Sequence, residues 1–476
     1  MHLALPRLSA GVLAAAALAW ASPELLARGT RAHANGAQEA PEGGALFVRA
    51  AKVIVRPGEV LADAGIIVQD GVIVAVGAGL ERPAGAREIA GEVVCAGFLD
   101  PWSTLGLDRG ALRDERTSPA SPTADALDLY GDDHLRLDAA RAGVTSARLQ
   151  AGEKSSVGGL GVVVRNAPDL ERERALVVED AGVAASVGLS VGQSRGRGPS
   201  VKDVFDRVKD VEKLGDLIEA GRKYHEDWVE YGYEIAEWEK AIAEKEAELE
   251  KDFKKAQKAR EKEVEDAKEK GKEHKEKKYK EDKRPKKPKL DEDKEVMARV
   301  ARGELPLLVE VHRAAEIRHL LELTAHFDQL RLVLCGATEA LPLAEELAER
   351  DVAVIVWPSP LGTDRADHLR KHDLALAGRL AAAGVGVLLG SGGESAATRD
   401  LPLLAGLAIG HGLDREAAFA ALTEGAARAL DVADRLGTLE RGKDADLLVL
   451  DGEPLVSTTR VRYAVVAGEV VVTPDN

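Results

Sequence analysis

The spacing of apolar and polar residues changes along this chain. From residue 45 to 94 the apolar runs are short and strand-like. Runs 46–50 and 51–55 end at Arg56-Pro57-Gly58, and 66–77 reads as two strands around Asp70-Gly71. Asp-Gly suits a tight hairpin, because both turn positions take positive φ. The same texture returns at 445–452 and 461–472. Neither set is large enough to bury a core alone. The pattern therefore predicts one composite β-sandwich from residues 35–98 and 437–476.

Between them, residues 99–436 alternate strand and helix signals. Residues 132–142 read as a helix ended by Gly143, and 144–149 as a strand. Strand 307–311 opens at Pro306, a position an edge tolerates, and a helix follows at 314–324. Strand 330–335 precedes a helix at 341–350 with Pro342 in its first turn. Runs 352–357 and 385–390 are two further strands. Repeated strand–helix units predict a parallel sheet covered by helices, an α/β body.

One segment breaks the rhythm. At about 236–297 the chain is almost entirely Glu, Lys, Ala, Asp and Arg, and 244–251 carries charge pairing at helical spacing. It reads as a solvated helical insertion closed by Lys283-Arg284-Pro285-Lys286-Lys287-Pro288-Lys289. The functional alternative is an arm that docks a protein partner.

Composition narrows the picture. The net charge of −16 argues against a nucleic-acid partner. Aromatics are 4% of residues, so Leu, Val, Ile and Ala must build the core. Cys95 and Cys335 lie in apolar runs and read as buried small hydrophobes rather than a disulfide framework. Residues 1–34 read as a signal peptide, with Arg7 ahead of the apolar run 8–20. That run is short for a membrane anchor. The expectation is an exported protein, periplasmic or secreted, with no membrane span after cleavage.

The junction between the two regions is Val94-Cys95-Ala96-Gly97-Phe98-Leu99-Asp100-Pro101-Trp102-Ser103-Thr104. Phe98 and Leu99 read as a buried strand that Asp100-Pro101 breaks, so Trp102, Ser103 and Thr104 sit at a strand's C-terminal end. Barrel enzymes place their chemistry there. Residues 153–161 form a glycine-rich loop containing Lys154, without the order of a phosphate-binding loop.

These residues resemble the amidohydrolase superfamily, in particular its imidazolonepropionase-like branch. The resemblance rests on 67–77, on Ala96-Gly97-Phe98-Leu99-Asp100, on Ala142-Gly143-Val144-Thr145-Ser146, and above all on 421–430 followed by Leu436-Gly437-Thr438-Leu439-Glu440-Arg441-Gly442-Lys443-Asp444-Ala445-Asp446-Leu447. It implies a (β/α)8 TIM-like barrel with a composite sandwich. It also implies hydrolysis of non-peptide C–N bonds of cyclic amide or imide type, by water activated on one or two divalent metals, often zinc. The implied ligands are a His-x-His pair after strand one, His at strands five and six, and Asp at strand eight.

This chain departs from that set. Trp102 and Thr104 occupy the paired-His positions, Gly392 occupies the Asp position, and the strand-six stretch offers Glu339 but no His. Strand five keeps His312. One imidazole does not make a zinc site, since three protein ligands are usual even at open catalytic sites. The candidate catalytic residues are therefore His312 and Glu339, and the candidate ligand contacts are Trp102, Thr104, Lys154, His312 and Gly392. Asp364, His368 and His372, four apart, would share one helix face and are, with His312, the candidate metal ligands. The leading expectation is a metal-free homologue that binds a small molecule or retains weak activity. The alternatives are a hydrolase with a relocated zinc or other divalent metal, and a non-catalytic scaffold docking a partner through the insertion.

Overall fold

The computed structural model describes residues 45–107, 117–129, 133–151, 156–168, 170–187, 201–266, 283–358, 372–393 and 395–475. They fall into two compact units. The larger contains Gln38–Tyr224 and Asp291–Asn476, and the smaller contains His225–Leu290. In chain order the first strands are β1 (Leu46–Arg56), β2 (Glu59–Gln69), β3 (Val72–Ala78), β4 (Arg87–Ala96), β5 (Phe98–Ser103), β6 (Val144–Leu149), β7 (Val157–Leu160), β8 (Val162–Arg165) and β9 (Leu176–Val178). They are followed by β10 (Val183–Ser186), β11 (Leu307–Val311), β12 (Leu332–Gly336), β13 (Ala353–Val356), β14 (Val387–Leu389), β15 (Leu447–Leu450), β16 (Val461–Val466) and β17 (Glu469–Val472).

The two ends of the chain share one sheet, in the order β17-β16-β15-β4-β1-β2-β3. The β2–β3 turn is at Asp70-Gly71, both with positive φ. β4 runs parallel to β1 on one side and antiparallel to β15 on the other, which joins the N- and C-terminal segments. The strands form one hydrogen-bonded sheet of seven, and Val72 bridges Asp444 while the Ile73 N–H donates to the Lys443 carbonyl, which brings the β3 edge back to the segment before β15. Its core includes Val48, Ile66, Val94, Leu447 and Val465, all buried.

The α/β body holds two further sheets. β10 to β14 run parallel in chain order, and β5 runs parallel to β6. The segment from β7 through β8 joins the sheets: β7 pairs antiparallel with β10, and β8 pairs antiparallel with β6. At the opposite edges, the Gly393 N–H donates to the Trp102 carbonyl over 3.1 Å, bringing the chain after β14 against β5.

Alternation along each strand sorts side chains onto two cores. On β11, Leu307, Val309 and Val311 pack with Ile317, Leu320 and Leu321 of the helix α1 (Ala314–Thr324). Leu308 instead joins Leu99, Trp102, Val163, Ala184, Val333, Cys335, Ile355, Trp357 and Leu388. That second core draws one face of both sheets together, and its upper end is at the C-terminal ends of the parallel strands.

The charged segment belongs to a longer helix, α2 (Val201–Asp266). Its early turns bury Val211, Leu214 and Ile218 at helical spacing within the larger unit, and Arg207 meets the carboxylate of Glu316 at 2.5 and 2.8 Å. The far end of the expected insertion is ordinary core. Asp291 caps the helix α3 (Glu292–Ala301), which buries Val296, Met297 and Val300. In the smaller unit, 283–290 is extended and returns along α2, with the Arg284 guanidinium 5.9 Å from the Trp238 ring and Lys287 Nζ 5.5 Å from the Trp228 ring.

Candidate functional site

The functional face is assembled from residues at the C-terminal ends of the parallel strands. Trp102 comes from β5, Gln150 follows β6, Ser186 ends β10, His312 follows β11, Trp357 follows β13 and Ser391 follows β14. Trp102 and Trp357 dominate it. Their rings lie 6.3 Å apart at 37°, and both are buried. Glycines make room for Trp357. A methyl group on Gly392 would sit 3.4 Å from its ring, and one on Gly336 would sit 2.9 Å from the ring and 2.3 Å from the His312 ring. Gly336 also has φ +78, so both backbone and space require glycine there.

His312 lies 5.7 Å from the Trp357 ring. Its Nε2 is 3.4 Å from Glu310 Oε1 and its Nδ1 is 3.5 Å from Thr338 Oγ1. Those distances are long for strong hydrogen bonds. Beneath Trp102 lies Arg148, fully buried, with its guanidinium 5.6 Å from the ring. Arg148 donates to the carbonyls of Ala181 and Gly182 and to Gln150 Oε1. Burial lowers its pKa to about 10, partly countered by Cys335. Gly161 accommodates the guanidinium, since a methyl there would come within 2.5 Å of it.

Asp100, Ser103 and Thr104 face the contact between the two sheet edges. Asp100 Oδ1 accepts the Trp102 N–H and the Ser391 N–H, each at 3.2 Å. The Ser103 and Thr398 hydroxyls are 2.6 Å apart, and the Thr104 hydroxyl donates to the Gly393 carbonyl. Asp100 Oδ2, Trp102 Nε1 and Gln150 Nε2 are buried without a hydrogen-bond partner. Burial raises the Asp100 carboxyl to about 6, and hydrogen bonds from Ser391, Trp102 and Thr398 keep it from rising further.

That shift has a measurable consequence. Asp100 holds its proton more tightly in the folded state than in the unfolded one, so its contribution is complete below pH 4 and is lost as pH rises through 6. A shift of this size corresponds to about 3 kcal/mol. Urea unfolding of the wild type from pH 4 to 7 is expected to show that decline, and Asp100→Asn is expected to remove most of it. An unchanged slope in the variant contradicts the assignment.

The predicted residues separate into groups. Trp102, His312 and Gly392 do meet, around Trp357. Thr104 serves the inter-sheet contact. Glu339 accepts the N–H of Ala314 over 3.1 Å, so it caps α1, and its own N–H donates to the His312 carbonyl. His372 is half-buried and lies outside any helix. Lys154, Asp364 and His368 lie outside the described residues, as does the candidate signal segment. Trp357, Arg148 and Gln150 are the residues sequence reasoning missed. The alternation Ser146, Arg148, Gln150 on β6 was the available signal for the last two.

The sequence profile described as the amidohydrolase family matches residues 190–473. The chain belongs to the amidohydrolase family. Among solved structures, an amidohydrolase from Thermotoga maritima MSB8 is similar at 22% identity and TM-score 0.66, over 90% of this chain and 100% of that one. An adenosine deaminase from Xanthomonas campestris with bound zinc gives 17% identity and TM-score 0.47, over 91% and 94%. An A. niger ochratoxinase gives 15% and 0.49, over 90% and 96%. No curated protein matches the chain. The family architecture is a TIM-type barrel with an additional domain, and the family usually binds a divalent metal.

At the positions the resemblance assigns, the described residues do not offer that metal its donors. Where the resemblance places two imidazoles and a carboxylate, this chain has an indole, a hydroxyl committed to a carbonyl, and a glycine under a second indole. Among the described residues no three His, Cys, Asp or Glu side chains are grouped as ligands. Among them too, no helix is long and apolar enough to cross a membrane.

Proposed function

We propose that this amidohydrolase-family chain is an exported homologue of imidazolonepropionase-like type that binds a small molecule and does not hydrolyse it through metal-activated water. The observation that carries this reading is the pair Trp102 and Trp357, packed with glycines where the resemblance calls for His and Asp. Indole carbon offers a divalent cation nothing, and His312 alone falls short of the three ligands usual at catalytic sites. The two sheets close into one eight-stranded barrel in which the β7–β8 segment runs against the other seven strands. The pairing of that segment with both sheets supports this closure, as does the Gly393–Trp102 hydrogen bond. A ligand role is supported by Trp102 Nε1 and Gln150 Nε2, buried without a hydrogen-bond partner among the described residues, because native interiors rarely leave such atoms unpaired.

Elemental analysis of protein purified without chelators is expected to find zinc and manganese well below one ion per chain. A panel of cyclic amides and imides is expected to show no turnover but to include compounds that alter tryptophan fluorescence saturably. Stoichiometric metal that disappears in His312→Ala, or turnover of any panel member, overturns the reading.

A further inference from the structure

The smaller unit carries two rows of opposite charge on different faces, neither in an ion pair among the described residues. Segment 283–290 is extended, and its exposure repeats every three residues: Pro285 and Pro288 are half-buried, while Lys283, Lys286 and Lys289 are exposed. That is the period of a polyproline II helix, whose rise places successive lysines about 9 Å apart along one edge. Arg284 and Lys287 form another edge and are held on Trp238 and Trp228. The lysine edge therefore projects from a clamped, straight strap. Lys283, Lys286 and Lys289 make no ion pair among the described residues.

On α2 the buried seam follows Tyr231 and Ile235 beside the two tryptophans. The opposite side of the helix carries Val229 and Tyr233, 42% and 72% exposed. Glu230, Glu237 and Glu244 share that side and are exposed, seven residues apart. Seven residues of helix rise about 10 Å, so this row nearly matches the lysine spacing. Residues 226–250 hold ten acidic residues against two basic, while 283–289 holds five basic and none acidic. The strap ends at Leu290, 52% exposed, which supplies an apolar group to meet Val229 and Tyr233.

We propose that the occupant of this surface is a second copy of the chain. The lysine edge of each copy lies along the Glu230–Glu237–Glu244 row of the next, with Leu290 against Val229 and Tyr233. The two rows face opposite sides of the unit, so each copy uses one row on each of two neighbours, a heterologous contact that can repeat from copy to copy. The contact is charge-driven and exposed, so salt weakens it. It is independent of what the strand-end site binds.

Light scattering coupled to gel filtration of the full chain tests this. The wild type is expected to associate beyond the monomer at about 50 mM salt and to be monomeric at about 0.5 M. Lys283→Glu/Lys286→Glu/Lys289→Glu and, separately, Glu230→Lys/Glu237→Lys/Glu244→Lys are each expected to be monomeric at low salt with unchanged helical content. Mixing the two variants restores association, and so does combining all six substitutions in one chain. A wild type that is monomeric at low salt overturns the proposal, as do triple variants that remain associated or a mixture that does not associate. A monomer that sediments with phosphatidylglycerol vesicles through the same lysines assigns the row to a membrane surface and also overturns it.

Discussion

Arg165→Ala is expected to lower the unfolding free energy by about 3–5 kcal/mol, the cost of removing one partner from a buried ion pair. Arg165 ends β8 and is almost fully buried. Its Nε contacts Asp446 Oδ2 at 2.9 Å, its Nη2 meets Asp444, and its Nη1 donates to the Arg174 carbonyl over 2.6 Å. Burial alone would lower its pKa, but Asp446 and Asp444 outweigh that and hold the guanidinium charged. Without Arg165, the buried Asp446 keeps the Ala467 N–H but loses its counter-charge. Asp444 keeps Arg435, at 2.9 Å. Arg435→Ala should therefore cost much less, about 1 kcal/mol, because that guanidinium is more than one-third exposed and Asp444 retains Arg165. Urea unfolding of both variants at pH 7 measures the difference. Equal losses would mean that Asp446 does not depend on Arg165.

This ion-pair cluster also explains part of what was legible in the sequence. The Gly442-Lys443-Asp444-Ala445-Asp446 run, which points to the family, does structural work: its carboxylates tie the start of β15 to β8. Strands β11 to β14 were readable because each is an almost wholly apolar run, interrupted only by Glu310 in β11. The β2–β3 hairpin was readable because Asp-Gly fits one turn geometry. The β7–β8 segment was not, because Gly158, Gly159 and Gly161 make it look like a loop. Two of those glycines answer tertiary contacts invisible in sequence: a methyl on Gly159 would press on the Ser121 carbonyl, and Gly161 yields space to Arg148. The start of α2 was hidden by composition, since its buried Val211, Leu214 and Ile218 precede the charged run. At the site, the residues standing at the positions the resemblance assigns could be read one by one. What packs beside them could not, because Trp357 is a strand-end residue whose place beside Trp102 depends on closure between β14 and β5.

Trp102→Ala separates a structural plug from a movable ligand contact. If the ring is part of the core, its loss empties a volume bounded by Trp357 and Arg148 and costs about 3–5 kcal/mol, as large aromatic truncations do. Arg148 keeps its acceptors at Ala181, Gly182 and Gln150, so the buried charge stays hydrogen-bonded and the loss reflects packing together with the ring–guanidinium contact. The space left has the shape of the missing ring, lined by the Trp357 indole and the Arg148 guanidinium, so a flat aromatic molecule of that shape refills it. Added indole is therefore expected to raise the melting temperature of Trp102→Ala while leaving the wild type unchanged, because only the variant has room for it. A variant that melts with the wild type would show that Trp102 is not core but a lid over a pocket already open. Tryptophan would then occupy the paired-His position to contact a ligand rather than to fill the space.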